Sequence, residues 1–329
     1  MVSPMTQTSD PVEQIRTLSA ANRAAPDPRT EQRLVMLRHE SFDPDLDRPG
    51  TLPEPIRAST DEPGPLRPLG PDELDLDSLR AGLARHGCVH VRGLIGSATV
   101  SQLVDGIDRA LAACDAGLAG APVSETTPWY APFTPPPGRY RIGGRRSWIR
   151  ASGGVWTADS PRMLFELCEL IEQTGIGALV EQHLGERPAL SANKNTLRRV
   201  PVDTNTSWHQ DGAFLGLEVR TLNLWIALSP CGTDAPGLDI VPRRFDTVLP
   251  TGTDGALFDW SVSPDVVAGA AGDVAVVRPE FEPGDVLLFD HLMLHRTAVA
   301  EGMTRERYAI ESWFFAPSGF PEGQIPLRY

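Results

Sequence analysis

The chain has 329 residues, 41% of them hydrophobic and 22% charged, an ordinary globular composition with length enough to bury a substantial core. Its formal charge of −13 argues against nucleic acid or an anionic membrane surface as a partner, because both are bound by neutralising phosphates with Lys and Arg. No run approaches the roughly 20 apolar residues of a bilayer span, so the expected partner is a small-molecule substrate.

The first residues, MVSPMTQTSDPVEQ, lack the basic start and apolar stretch of a secretion signal. Cys88, Cys114, Cys168 and Cys231 are widely spaced with no Cys-x-x-Cys pair, which suits reduced thiols and a cytoplasmic location. Residues 1–70 are rich in proline and acid and read as an extended arm, partly disordered or docked, in which VEQIRTL and EQRLVMLRH are able to form single helices. Residues 71–329 read as a single domain, mostly helical over 71–187 and mostly strand over 188–317. PDELDLDSLRAGLARHG, with acids first, bases last and a terminal glycine, predicts a helix. CVHVRGL alternates as a short strand, and SATVSQLVDGIDRALAACDAG predicts a second helix with Ser97 as N-cap. Residues 118–160 read as loop. SPRMLFELCELIEQTGIGALVEQHLG predicts two helices broken near Gly175. Beyond Arg187 short apolar and β-branched runs recur between turn signals: ALSANKNTLRRV, TLNLWIAL, GLDIVPR, VAVVRP, DVLLF and RYAIESWFF. That pattern predicts a mainly β sandwich or barrel.

The sharpest chemical signal is Trp208-His209-Gln210-Asp211-Gly212. In an extended segment His209 and Asp211, two residues apart, project to one face and can meet one metal. GDVLLFDHLMLHRT supplies a third ligand, His291 or His295. Two imidazoles and a carboxylate on one side of a metal form the facial triad of non-haem iron(II) oxygenases, with the other positions open. Arg307, in the strand-like RYAIESWFF, is a candidate to grip the distal carboxylate of 2-oxoglutarate bidentately.

With WHQDG, TLNLWIALSPCGTDAPGLDIVPRR and GDVLLFDHLMLHRT followed by RYAIESWF, residues 72–317 resemble the phytanoyl-CoA dioxygenase-like family of Fe(II)/2-oxoglutarate oxygenases. The resemblance implies a double-stranded β-helix, a cupin-like jelly roll with flanking helices. It implies His209, Asp211 and His295 as iron ligands, since Thr297 and Arg307 then fall at the family's offsets after the distal histidine, and His291 fits neither. It further implies Thr297, Arg307, Trp225 and Asn195 around the co-substrate. Arg305 fits less well because it precedes the strand. Where the family often has a serine-histidine pair after the second sheet strand, this chain has Pro242-Arg243-Arg244-Phe245. Fe(II), 2-oxoglutarate and O2 are the implied cofactors, and hydroxylation of an unactivated C–H with release of succinate and CO2 the implied reaction. Asp211 favours hydroxylation over halogenation, for which relatives carry a small residue there. Desaturation, epimerisation and cyclisation use the same oxidant. A zinc hydrolase built on the same ligands leaves Arg307 and Thr297 unexplained. A non-catalytic small-molecule-binding jelly roll is the reading of another class.

Residues 126–157 contain Trp129, Tyr130, Phe133, Tyr140, Trp148 and Trp156 with Arg139, Arg141, Arg145, Arg146 and Arg150, and no Asp or Glu. In an acidic chain this excess suggests a lid over an anionic or aromatic substrate, or a structural loop whose aromatic residues plug the core.

Overall fold

The structure, a computed structural model, describes residues 10–45, 51–136, 145–204 and 207–329. It opens with α1 (Pro11–Ala24) and α2 (Pro28–Glu40). Each has an aspartate N-cap, Asp10 or Asp27, accepting from a first-turn amide, with proline at the first helical position, where its missing N–H costs nothing. Both helices extend beyond the two apolar pieces legible in the sequence. α3 (Leu76–His86) starts at the Asp75 cap and stops at Gly87, whose φ of 74° closes the helix in the left-handed region.

β1 (Cys88–Val91) and α4 (Ser97–Leu118) follow. The cap of α4 is Gly96, so Ser97 is the first helical residue rather than the cap expected. The stretch read as loop holds α5 (Val123–Thr126), α6 (Arg145–Ala151) and β2 (Gly154–Trp156). Only tertiary pairing with a later strand makes β2 a strand. α7 (Pro161–Gln173) and α8 (Ile176–Leu184) break at Gly175, φ 74°, as the sequence predicts.

The run ALSANKNTLRRV becomes β3 (Ala189–Ser191) and β4 (Thr196–Val200), because Lys194 and Asn195 turn their amides back to the Ser191 carbonyl. Then come α9 (Gly212–Leu215), β5 (Thr221–Ala227), β6 (Gly237–Ile240), α10 (Pro264–Ala271), β7 (Val286–Phe289), β8 (His295–Ala298), β9 (Arg307–Phe315) and β10 (Pro326–Arg328). VAVVRP is not a strand; it contributes one isolated bridge, Val277 to Ile240.

The fold is sheet-rich with flanking helices, and every ladder is antiparallel. The large sheet runs β1-β7-β5-β9-β3-β10, with β4 pairing β9 beside β3 and β2 beyond β4. β6 and β8 form a second sheet. Strand alternation divides the large sheet into two faces. Leu222, Leu224, Ile226, Val286, Leu288, Ile310 and Phe314 join Leu83, Leu103, Ile107, Leu167 and Val180 of the helices in the larger core. Trp225, Ala227, Leu287, Phe289, Ala309 and Trp313 point the other way and pack with Leu238 and Ile240 of β6. The N-terminal helices lie on the helical layer: Arg162 of α7 pairs with buried Glu31 of α2, while Arg38 donates to the Arg328 carbonyl of β10. No helix among the described residues is long and apolar enough to cross a membrane.

Candidate metal centre

A cavity of about 600 Å³ opens on the second face of the large sheet and is lined by residues of both sheets. The pair His209 and Asp211 lies between β4 and α9, and His295 begins β8. His209 and His295 exchange both backbone hydrogen bonds, 2.9 and 3.1 Å, as an isolated antiparallel bridge. This backbone clip brings residues 86 apart in sequence side by side. One candidate ligand atom from each of His209, Asp211 and His295 lies within 4.8 Å of the others.

The imidazoles are oriented from behind. Nδ1 of His209 lies 2.9 Å from the Ser207 carbonyl, and Nδ1 of His295 lies 3.0 Å from the Met293 carbonyl. A carbonyl only accepts, so each Nδ1 carries the proton and donates, leaving the Nε2 lone pair for a metal. Burial, followed by the neighbouring His209, pushes His295 down to about 4. It is therefore a neutral imidazole at neutral pH, the form that ligates. Burial works to raise Asp211, but Lys194, His209 and His295 outweigh it and hold the carboxyl below its usual range. Lys194 Nζ stands 3.0 Å from Asp211 Oδ1 and 3.9 Å from the Phe214 ring centre. The donor set of two imidazoles and one carboxylate suits a divalent first-row metal.

Gln210 faces away from its two neighbours. Its amide donates to the Thr247 and Leu292 carbonyls, and its oxygen accepts from the Leu249 amide. His291, the other histidine the sequence offered, is buried against Gly212 with Nε2 3.2 Å from the Leu217 carbonyl, outside the three-residue cluster. A Cβ at Gly212 would come within 2.8 Å of Val248 and 3.1 Å of the His291 ring, so glycine permits this close approach.

Arg307, Thr297 and Trp225 line the same cavity. The Arg307 side chain is 1% exposed; it donates to the Gly237 carbonyl at 2.9 Å and lies over Trp225 at 5.4 Å. Its Nε has no partner, and burial pushes its pKa down to about 10. It remains charged at neutral pH. Among the described residues it makes no ion pair, and an uncompensated buried cation of this kind is fitted to an anion. The indole N–H of Trp225 is likewise buried without an acceptor. Arg305 is exposed in the turn before β9. Asn195 is not among the residues that line the cavity: its oxygen accepts from the Trp313 amide at 2.6 Å and pins β9, while its Nδ2 is buried without a partner.

The aromatic and basic stretch divides. Tyr130 and Phe133 plug the larger core and Trp129 packs against it, while Arg146 pairs with Asp159 and Arg150 with Asp115. Arg145, Trp148 and Trp156 line the cavity. Arg139, Tyr140 and Arg141 lie outside the described residues. Sequence reasoning passed over Asn223, Glu311, Arg198 and Lys194, all of which line the cavity. Period-two alternation was available for Asn223 and Glu311, which share a face with Trp225 and Arg307. Phe258 and Trp260 approach His209 from a distant loop, Trp260 at 5.6 Å, and no local pattern marks them.

No family model matches the chain, and no curated protein matches it. The chain is similar to the crystal structure of EctD from S. alaskensis with 2-oxoglutarate and 5-hydroxyectoine, with TM-score 0.52 and 15% identity over 84% of this chain and 89% of that one. EctD from S. alaskensis with bound Fe gives TM-score 0.52 and 16% identity over 85% and 87%. At such identity the likeness is one of fold.

Proposed function

We propose that the chain is an Fe(II)- and 2-oxoglutarate-dependent oxygenase on a double-stranded β-helix, formed by residues 71–329 with the N-terminal helices docked on it. The observation that carries the reading is the sharing of one cavity by two features. One is the cluster of His209, Asp211 and His295; the other is a buried Arg307 without a carboxylate partner. EctD, of the same fold, has been crystallised with Fe and with 2-oxoglutarate. Membership of the phytanoyl-CoA dioxygenase-like branch rests on the sequence motifs alone.

In this reading Nε2 of His209 and His295 and the Asp211 carboxylate hold iron. Arg307 would hold the distal carboxylate of 2-oxoglutarate, with Thr297 and Trp225 lining the same cavity. The bound iron, 2-oxoglutarate and O2 together supply a C–H oxidant, with succinate and CO2 as by-products. The protein's own part is to orient both imidazoles through their Nδ1 hydrogen bonds, to keep Asp211 ionised and to shield the site with aromatic walls. It also holds the target carbon near the metal, where position rather than acid–base chemistry governs the outcome. Hydroxylation is the reaction proposed; desaturation, epimerisation and cyclisation use the same oxidant.

Anaerobic titration of the protein with Fe(II) and 2-oxoglutarate tests the reading. A visible charge-transfer band is expected in wild type, weakened in Arg307→Ala. Its absence from folded, iron-loaded wild type would sink the assignment in favour of a zinc site or a non-catalytic binding protein.

A further inference from the structure

Besides Arg307, Lys194 and Arg145, the cavity is lined by a further cationic group to which the proposed function gives no role. Arg198 of β4 lies opposite Ala309 of β9 in that ladder and opposite Gly154 of β2 in the other. Its side chain is only 11% exposed, and its Nε is buried without a hydrogen-bond partner. The nearest carboxylate, Glu311 Oε1, stands 4.0 Å away, beyond hydrogen-bond reach. The other Glu311 oxygen is taken by the Thr196 hydroxyl at 2.9 Å. Glu311 thus offsets the charge of Arg198 without consuming its donors.

A second orphaned donor stands on the adjacent strand. Trp156 of β2 is 2% exposed, lines the same cavity, and has a buried indole N–H with no acceptor. Its ring is backed at 4.6 Å by Arg146, whose own charge is engaged by Asp159. A buried donor left unmade destabilises the fold. Two such donors, on neighbouring strands and on residues that line one cavity, fit a site whose acceptor arrives with a ligand. Gly154 contributes room: a Cβ there would come within 3.1 Å of the Arg198 stem.

This pair neighbours the proposed co-substrate anchor, since Arg198 is close enough for its charge to lower the pKa of Arg307, but it sits on different strands. Arg307 leans over Trp225 of β5 and donates to Gly237 of β6, whereas Arg198 and Trp156 lie on the other side of β9, on β4 and β2. We propose that Arg198 and the Trp156 N–H form the subsite for an oxyanion head group, a carboxylate first of all, on the substrate. The substrate's apolar body lies against Phe214, Phe258 and Trp260 towards His209. Calling the ligand a substrate rests on the oxygenase reading; the anion site itself does not.

The test uses the full chain free of metal and 2-oxoglutarate, so that a failed iron assignment leaves it intact. Phenylacetate, 3-phenylpropionate and hexanoate are each compared with the corresponding primary amide, with dissociation constants read from tryptophan fluorescence. In wild type at least one carboxylate binds about tenfold or more tighter than its amide, the size expected of hydrogen bonds to a charged group. Measured in the Arg307→Gln chain, where the proposed co-substrate anchor cannot itself take the probe, the preference is kept, and adding Arg198→Gln reduces it to within about twofold. Arg198→Lys, which keeps the charge and loses the planar fork, and Trp156→Phe, which keeps the ring and loses the N–H, each give an intermediate preference. These two variants decide the matter if Arg198→Gln fails to fold by circular dichroism. The proposal is overturned if no carboxylate is preferred, or if the preference disappears in Arg307→Gln or survives the addition of Arg198→Gln.

Discussion

Gln210 is flanked by two proposed iron ligands, yet its work is done on the other side of the chain. It is wholly buried, and its amide joins three backbone groups from two loops, at Thr247, Leu249 and Leu292. Gln210→Leu keeps the volume but strands those groups, and each buried orphan carries a penalty. Thermal or urea unfolding is expected to register a loss of about 2 kcal/mol or more, and a loss below about 0.5 kcal/mol would mean that water replaces the amide. The alternation that sets Gln210 apart from His209 and Asp211 was readable in WHQDG, and the structure gathers with that pair His295, which the family resemblance favoured over His291. Asn195 lies outside the cavity lining for a physical reason: the turn at Ser191–Asn195 removes it from the alternation of β4 and commits its side-chain oxygen to β9. Arg198 escaped notice because an arginine in a strand says nothing of its surroundings until β2 covers it.

At the scale of elements, helices with their own caps were legible and strands made by distant pairing were not. Asp75 and Gly87 bracket α3 within its own sequence, whereas Gly154–Trp156 is a strand only because β4 passes beside it. The seam between α2 and α7 depends on both helices, and it carries a titratable group. Burial, opposed by Arg162 and reinforced by Glu31 and Asp105, raises Glu166 of α7 from 4.5 to about 7. Arg109 also faces it and favours the charged form. The folded-state pKa is the higher one. Below 4.5 the carboxyl is neutral in both states and costs nothing; as pH rises from 4.5 to about 7 the unfolded chain ionises first and the folded state loses ground. Glu166→Gln is therefore expected to stabilise the protein by about 1–3 kcal/mol at pH 8 and to leave it unchanged at pH 4. Melting curves at the two pH values check this, and an equal effect at both would place its origin in packing rather than charge.

The whole molecule brings its proposed ligands together from far apart in the chain, and that has a thermodynamic consequence. His209 and Asp211 precede β5, while His295 begins β8 of the smaller sheet, so the site exists only when that sheet has closed over the larger one. An unfolded chain offers a divalent ion no comparable set, and an ion that binds the folded state alone must stabilise it. At a free-ion concentration one hundred times the dissociation constant the gain is about 2.7 kcal/mol. For a chain of 329 residues that corresponds to roughly 4 °C in Tm. Anaerobic Fe(II) is expected to raise the Tm of wild type by about that amount, and the chelator-treated protein is expected to melt at the lower value. Asp211→Ala removes one of the three donors and leaves Lys194 beside two imidazoles, so its Tm is expected to stay within about 1 °C of the metal-free value at the same Fe(II) concentration. A shift retained in Asp211→Ala would place the ion elsewhere, among the acidic side chains that give the chain its charge of −13. A wild-type Tm indifferent to Fe(II) would show that the three side chains, although gathered, do not bind it.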